Sequence, residues 1–221
     1  MKKLIGLAAM AGAATIATTG VAAAEGSVSA NVALTSNYVW RGITQSDGDA
    51  AIQGGFDYTN GMFYAGVWGS SVDDFGVSAS SELDLYVGVT PTLGPVTFDF
   101  GVVGYYYPGA SDDIDFNELK AAASISPTEA WSVGLTSYFS DDFAASGEDS
   151  VYLELGSSFA FSDAFSVSGA FGNQDTDSGD YDTWNLGATY AFHGFGLDLR
   201  YHEADIPGQD EEISFTISRE L

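Results

Sequence analysis

The chain has 221 residues, with 31 Asp and Glu against six Lys and Arg, for a formal charge of −25. A chain this negative excludes nucleic acid as a partner, because phosphate contacts need clustered Lys and Arg. The absence of cysteine excludes disulfides, thiol catalysis and thiolate metal sites, and 15 Phe, 12 Tyr and four Trp set it apart from acidic disordered chains, which are poor in aromatics.

Residues 1–24 read as a cleaved signal peptide. Lys2 and Lys3 form a positive n-region, residues 4–21 an apolar stretch, and Ala22, Ala23 and Ala24 the small residues at a cleavage point. The alternative, a membrane anchor helix, fits poorly with so much Ala, Gly and Thr and no cationic stop-transfer flank. Cleavage leaves residues 25–221 as one domain and removes two lysines, which deepens the charge to −27. No later stretch is apolar for long enough to cross a membrane as a helix.

From residue 28 onward the chain alternates with a period of two, the mark of a strand with two unlike faces. The first strand, residues 28–39, sets Val28, Ala30, Val32 and Leu34 against Ser29 and Asn31. The second, 50–58, sets Ile52, Phe56 and Tyr58 against Gln53 and Asp57. The third, 62–70, is apolar on both faces and its orientation stays open. The fourth sets Leu83, Leu85 and Val87 against Glu82, Asp84 and Tyr86, and the fifth sets Phe98, Phe100 and Val102 against Asp99, Gly101 and Tyr105. The sixth opposes Leu119 and Ala121 to Glu118 and Lys120, and the seventh Val133 and Leu135 to Thr136 and Tyr138. The eighth opposes Leu153 and Leu155 to Tyr152 and Glu154, and the ninth Phe165, Val167 and Phe171 to Ser166 and Ser168. The last three oppose Trp184 and Leu186 to Asn185, Leu197 and Leu199 to Asp198, Arg200 and His202, and Ile213, Phe215 and Ile217 to Ser214 and Thr216.

The connections alternate in length. Short turns fall at 59–61, 91–94, 127–129, 162–163 and 193–194. Longer, acidic loops fall at 41–49, 71–80, 108–115, 140–149, 173–180 and 204–210. This predicts an all-β fold: a closed antiparallel transmembrane β-barrel of about 12 strands, with short periplasmic turns and longer acidic extracellular loops. Strands of about 9–11 residues are what a tilted crossing of the hydrocarbon needs. A sheet in lipid must close, since an open edge leaves backbone groups unsatisfied. Alternation by itself leaves a fork, because a secreted soluble barrel would turn the same apolar face inward. The signal peptide, the aromatics and the charged partner face favour the membrane barrel. Aromatics near strand ends fit interfacial belts: Tyr38, Trp40, Tyr58, Tyr106, Trp131, Phe139, Phe161, Phe165, Phe171, Trp184, Phe192 and Tyr201.

The run Asn37-Tyr38-Val39-Trp40-Arg41-Gly42-Ile43-Thr44-Gln45-Ser46 is distinctive, as are 51–58 (Ala-Ile-Gln-Gly-Gly-Phe-Asp-Tyr) and 63–70 (Phe-Tyr-Ala-Gly-Val-Trp-Gly-Ser). On these motifs the chain resembles the TorF-family porins, a proteobacterial group of conserved hypothetical proteins. The resemblance implies a barrel in the bacterial outer membrane, reached through the periplasm and acting as a channel. It brings no substrate, cofactor or catalytic residue with it. The chain ends on Leu221, where outer-membrane barrels commonly end on an aromatic.

On the membrane reading, Asp57, Glu82, Asp84, Asp99, Glu118, Glu154 and Asp198 line the pore, opposed by Lys120 and Arg200. Charged rings set the sign of a pore's selectivity, so the expected function is passive diffusion of small solutes with a preference for cations. The opposing reading is a closed lumen, in which Lys120 and Arg200 pair with carboxylates and seal the bore, leaving a structural or adhesive barrel. Arg41, at the pore mouth, has two readings: a partner for a carboxylate or ligand anion, or a cation–π partner of Trp40 or Tyr38. The loop carboxylates either keep the loops solvated or hold divalent ions that bridge to lipopolysaccharide in the surrounding outer-membrane lipid. Asp175-x-Asp177-x-Gly179-Asp180 has only part of a calcium-loop pattern. An enzyme would need an activated nucleophile. Only His193 and His202 are available as bases, and no G-x-S-x-G or H-E-x-x-H motif is present. The sequence therefore calls for no cofactor, metal or catalytic site, and it carries no signal of oligomeric state.

Overall fold

The computed structural model describes residues 26–221. The expected signal peptide, residues 1–24, lies outside the described residues. Twelve strands form the wall: β1 (Ser27–Thr35), β2 (Ala51–Asn60), β3 (Phe63–Ser71), β4 (Ser81–Val89), β5 (Val96–Tyr106), β6 (Phe116–Thr128), β7 (Trp131–Ser140), β8 (Ser150–Ala160), β9 (Phe165–Thr176), β10 (Gly179–Phe192), β11 (Phe195–Ala204) and β12 (Glu212–Glu220). Each pairs antiparallel with its sequence neighbours, and β1 pairs with β12 through Asn31↔Glu220 to Thr35↔Thr216. The sheet is therefore closed and has no free edge, as a sheet spanning lipid requires.

Burial resolves the fork over which face points in. Val28 is 72% exposed, Leu85 48% and Phe100 48%, whereas Glu118 is 1% and Arg200 4% exposed. The outer surface is a continuous apolar band. A soluble monomer rarely exposes an apolar patch beyond roughly 300–600 Å². Glu82 and Glu154 are buried too, so the protein is polar inside and apolar outside. That is the inverse of a soluble barrel and the pattern of a membrane one.

Short turns occupy one end and longer loops the other. His193 and Gly194 both have positive φ, 50° and 83°, between the paired Phe192 and Phe195. This is the left-handed two-residue turn that matches strand twist. Exposed rings at this end include Tyr58, Trp131, Phe161, Phe165 and Phe192, and towards the loop end Phe139 and Trp184.

Four details differ from the sequence reading. The first strand ends at Thr35, not at residue 39. Tyr38 and Trp40 consequently leave the wall and turn inward, so neither belongs to an interfacial belt; Tyr38 is buried. Residues 173–180 are not a loop. β9 and β10 run on to Thr176 and Gly179, leaving only Asp177 and Ser178 between them. Asp175 and Asp180 are ladder partners there, so the partial calcium-loop pattern is a hairpin tip. Finally, β6 continues through Pro127 to Thr128 before turning. The orientation of β3 is also settled: Trp68 and Ser70 pair with Asp84 and Glu82 on the inner face, which sends Val67 outward.

Candidate functional site

The barrel interior is built on a rule of large against small. Long polar side chains lie flat across glycines of a neighbouring strand, because a two-residue repeat places both on the same inner face. Tyr86 of β4 lies over Gly66 of β3, and its hydroxyl donates to Asp57 of β2 at 2.5 Å. Tyr64 of β3 lies over Gly88 and Gly101 and donates to Asp99 of β5 at 2.8 Å. Arg200 of β11 lies over Gly187 of β10, where an added Cβ would stand 2.5 Å from Cζ. A glycine at each of these positions is what lets a charged side chain pack against the wall rather than extend across the bore.

The first loop, residues 36–50, folds into the loop end of this interior. Its tip is a two-residue hairpin, Val39–Trp40 paired with Ile43–Thr44. Arg41 and Gly42 have φ of 47° and 80°, again the turn in which both central residues are left-handed. A side chain at Gly42 would collide with Ala204 and Thr183, so the turn sits hard against β10 and β11.

Arg41, 5% exposed, reaches the far wall from this tip. Its Nη1 and Nη2 donate to Glu118 Oε1 and Oε2 of β6 at 2.8 and 2.7 Å, and Nη1 also donates to Gln174 Oε1 of β9 at 2.8 Å. The guanidinium also stacks 4.2 Å from the Trp40 ring centre and 4.3 Å from that of Tyr152. Both sequence readings of Arg41 therefore hold at once, as carboxylate partner and as cation–π partner, although Tyr152 takes the place expected of Tyr38. A bidentate carboxylate pair is the strongest arrangement available to Arg. The loop is fastened elsewhere by Asn37 Nδ2 to Glu212 Oε2 at 2.7 Å and Gln209 Nε2 to the Gly42 carbonyl at 2.6 Å.

Lys120 and Arg200 are also paired. Lys120 Nζ is 2.7 Å from Asp99 Oδ2. Arg200 bonds both oxygens of Asp198 at 3.2 Å, Asn185 Oδ1 at 2.6 Å and Ser168 Oγ at 2.8 Å. Thr189 completes that cluster by donating to Asp198 Oδ2 at 2.6 Å. Glu154 accepts from the Tyr152 hydroxyl at 2.9 Å. Glu82 meets the Tyr107 hydroxyl only at 3.5 Å, and Asp84 faces the same side of β4 two residues on. All nine strand residues named from the sequence thus lie on the interior face, and the structure adds Arg41 as a third internal cation.

The sequence reading gave no site role to Gln53, Trp68, Gln174 or the ring-bearing partners Tyr64, Tyr86, Tyr105 and Tyr152. Alternation had placed Tyr86, Tyr105 and Tyr152 on the polar face; their hydroxyls serve there as donors to carboxylates. His202 Nε2 lies 3.0 Å from Ser214 Oγ, buried on the inner wall.

A closed antiparallel barrel with an apolar outside, a polar inside, short turns at one end and long loops at the other defines the porin-like class. The chain belongs to the family described as "Bacterial protein of unknown function (Gcw_chp)", whose model matches residues 19–219. Among solved structures it is similar to the KdgM porin, with 8% identity and a TM-score of 0.64 over 86% of this chain and 98% of that one. A further structure of that porin is in complex with disordered oligogalacturonate. The NanC porin aligns with 10% identity and a TM-score of 0.57, over 87% of this chain and 98% of that one. An outer-membrane channel of Pseudomonas putida F1 aligns with 13% identity and a TM-score of 0.53, over 92% and 97%. At such identities the likeness is one of fold. No curated protein matches the chain.

Proposed function

We propose that the protein is an outer-membrane channel of the TorF type for passive diffusion of small solutes, with a preference for cations. One observation carries the reading: among the described residues, the seven interior carboxylates named from the sequence, with Glu212 at the loop end, face three cations, and each cation is already engaged by a single carboxylate. Asp57, Glu82 and Asp84 have no cation beside them among the described residues, and fixed charge of one sign selects ions of the other. The oligogalacturonate held by one structural neighbour is a polyanion; the sign of the interior here argues against carrying that ligand over.

On this reading the short turns face the periplasm, and the acidic loops face outward among outer-membrane lipid and lipopolysaccharide. The reading gives His202 and Ser214 no catalytic role, since both face the lumen, away from the lipid phase in which an acyl substrate would sit. A second reading has its own support. Loop 1 crosses the lumen and is latched by Arg41 to Glu118, which favours a barrel that is closed at rest. Planar-bilayer recording on the folded protein at neutral pH separates the two. Cation-selective conductance is expected. Anion selectivity contradicts the proposal. Absence of conductance in both the native protein and Arg41→Ala supports a purely structural barrel.

A further inference from the structure

The wall formed by β2, β3 and β4 holds polar atoms that nothing in the protein satisfies. Gln53, Ser70 and Glu82 are register partners in one row, and Trp68, Asp84 and Tyr105 in the next. Neighbouring strands lie about 4.8 Å apart and successive inward residues about 7 Å apart, so these side chains share one small patch of interior. Gln53, Glu82 and Trp68 are 3%, 5% and 6% exposed. Yet Gln53 Oε1, Glu82 Oε2, Asp84 Oδ1 and Trp68 Nε1 are all buried without a hydrogen-bond partner. Native proteins rarely leave such atoms unmet, because each forfeits its hydration for nothing. The three ion pairs among the described residues involve other carboxylates.

Aromatic rings close over the patch. Tyr38 meets Trp68 edge-to-face at 5.6 Å between ring centres. The hydroxyls of the loop residues Tyr38 and Tyr107 are both raised well above the ordinary tyrosine range, first by burial and then by the Glu82 and Asp84 carboxylates, which sets both rings beside those carboxylates.

We propose that this patch binds the primary ammonium group of a small organic amine. An ammonium offers three N–H donors, and the patch has three unmet acceptors, Gln53 Oε1, Glu82 Oε2 and Asp84 Oδ1. Two carboxylates supply the opposite charge, and the Tyr38 and Trp68 rings beside them give apolar surface to the methylenes of the solute. Trp68 Nε1–H is the unmet donor of this patch, and it selects an oxygen acceptor carried on the same solute. An amino alcohol therefore satisfies the patch completely. A hard metal ion is a poorer match. It takes six or more oxygens and makes no use of rings or an indole N–H, and no group of three or more His, Asp or Glu converges as a cage among the described residues. In assigning a solute class to the lumen, this proposal rests on the channel reading.

The test is calorimetric titration of the full barrel, folded in detergent, with ethanolamine, propylamine, tetramethylammonium and calcium chloride. Ethanolamine is expected to bind saturably, with tetramethylammonium, which has the charge but no N–H, at least about tenfold weaker. Glu82→Gln and Asp84→Asn each lower ethanolamine affinity about tenfold or more. Trp68→Phe weakens ethanolamine but not propylamine, and keeps the test available should a carboxylate variant misfold. The proposal is overturned by an absence of saturable heat, by tetramethylammonium binding equally well, or by calcium displacing the amine. Conductance of the native protein and Arg41→Ala, recorded in parallel, keeps the two ideas apart: conductance without amine binding overturns the site alone, and absent conductance in both overturns the channel.

Discussion

Two walls of the same barrel treat charge in opposite ways. On β9 to β11, Arg200 spans Gly187 and is met by Asp198, Asn185 and Ser168, while Thr189 takes up the remaining capacity of Asp198. Every group of that cluster has a partner within the wall, although Gln174 Nε2, towards the loop end of β9, has none. On β2 to β4, Glu82 and Asp84 stand two residues apart with no cation, and four buried polar atoms have no partner. The first wall is closed chemistry and serves the fold. The second holds unmet acceptors and carboxylates without a cation beside them, and the proposed solute site is placed there. The lesson is that a polar lumen is not uniformly functional: what matters is the charge left over after the barrel has satisfied itself.

The contrast can be broken by mutation, and the largest effect belongs to the latch. Glu118→Ala leaves Arg41 buried without its carboxylate. Breaking a buried pair from one side costs about 3–5 kcal/mol, and the loss should appear as a lower urea midpoint for the barrel embedded in vesicles. Next comes Leu85→Lys, on the lipid face of the unsatisfied wall. A cation at the bilayer midplane costs a barrel about 2–4 kcal/mol, readable in the same unfolding assay. One residue away, Asp84→Asn faces inward, so the two neighbouring substitutions should differ sharply. On the satisfied wall, Asp198→Asn removes the charge that Arg200 was built against, and a loss of about 1–3 kcal/mol is expected. The smallest effect is that of Asp84→Asn itself, which relieves repulsion from Glu82. Its unfolding midpoint should stay level or rise. Equal losses for Asp198→Asn and Asp84→Asn would erase the distinction between the walls.

Much of the fold was legible because the bilayer enforces it. Leu83, Leu85 and Val87 must face lipid, so Glu82, Asp84 and Tyr86 between them must face inward, and the same arithmetic runs round all twelve strands. Legibility fails where the bilayer stops acting. At the tip of β9 and β10 both faces meet water, alternation lapses, and Asp175 to Asp180 looks like a loop although it is paired backbone. The inward course of loop 1 was hidden for another reason. Trp40 and Tyr38 are as suitable for an interface as for a core, and the residue that decides between these, Glu118, lies 77 positions from Arg41. The one local hint is the pair Arg41-Gly42, a residue order suited to a turn with two left-handed positions. The flat packing of Tyr64, Tyr86 and Arg200 over glycines needed register between strands, which alternation within a single strand does not supply.

The central claim is that unpaired carboxylates on the β2–β4 wall give the channel its sign. The direct measurement is the reversal potential across a KCl gradient, compared between the native barrel, Asp57→Asn/Glu82→Gln/Asp84→Asn, and Asp198→Asn. The account predicts cation selectivity in the native protein, its collapse towards neutrality in the triple variant, and its retention in Asp198→Asn. Selectivity that survives the triple variant, or that favours chloride in the native protein, would contradict it.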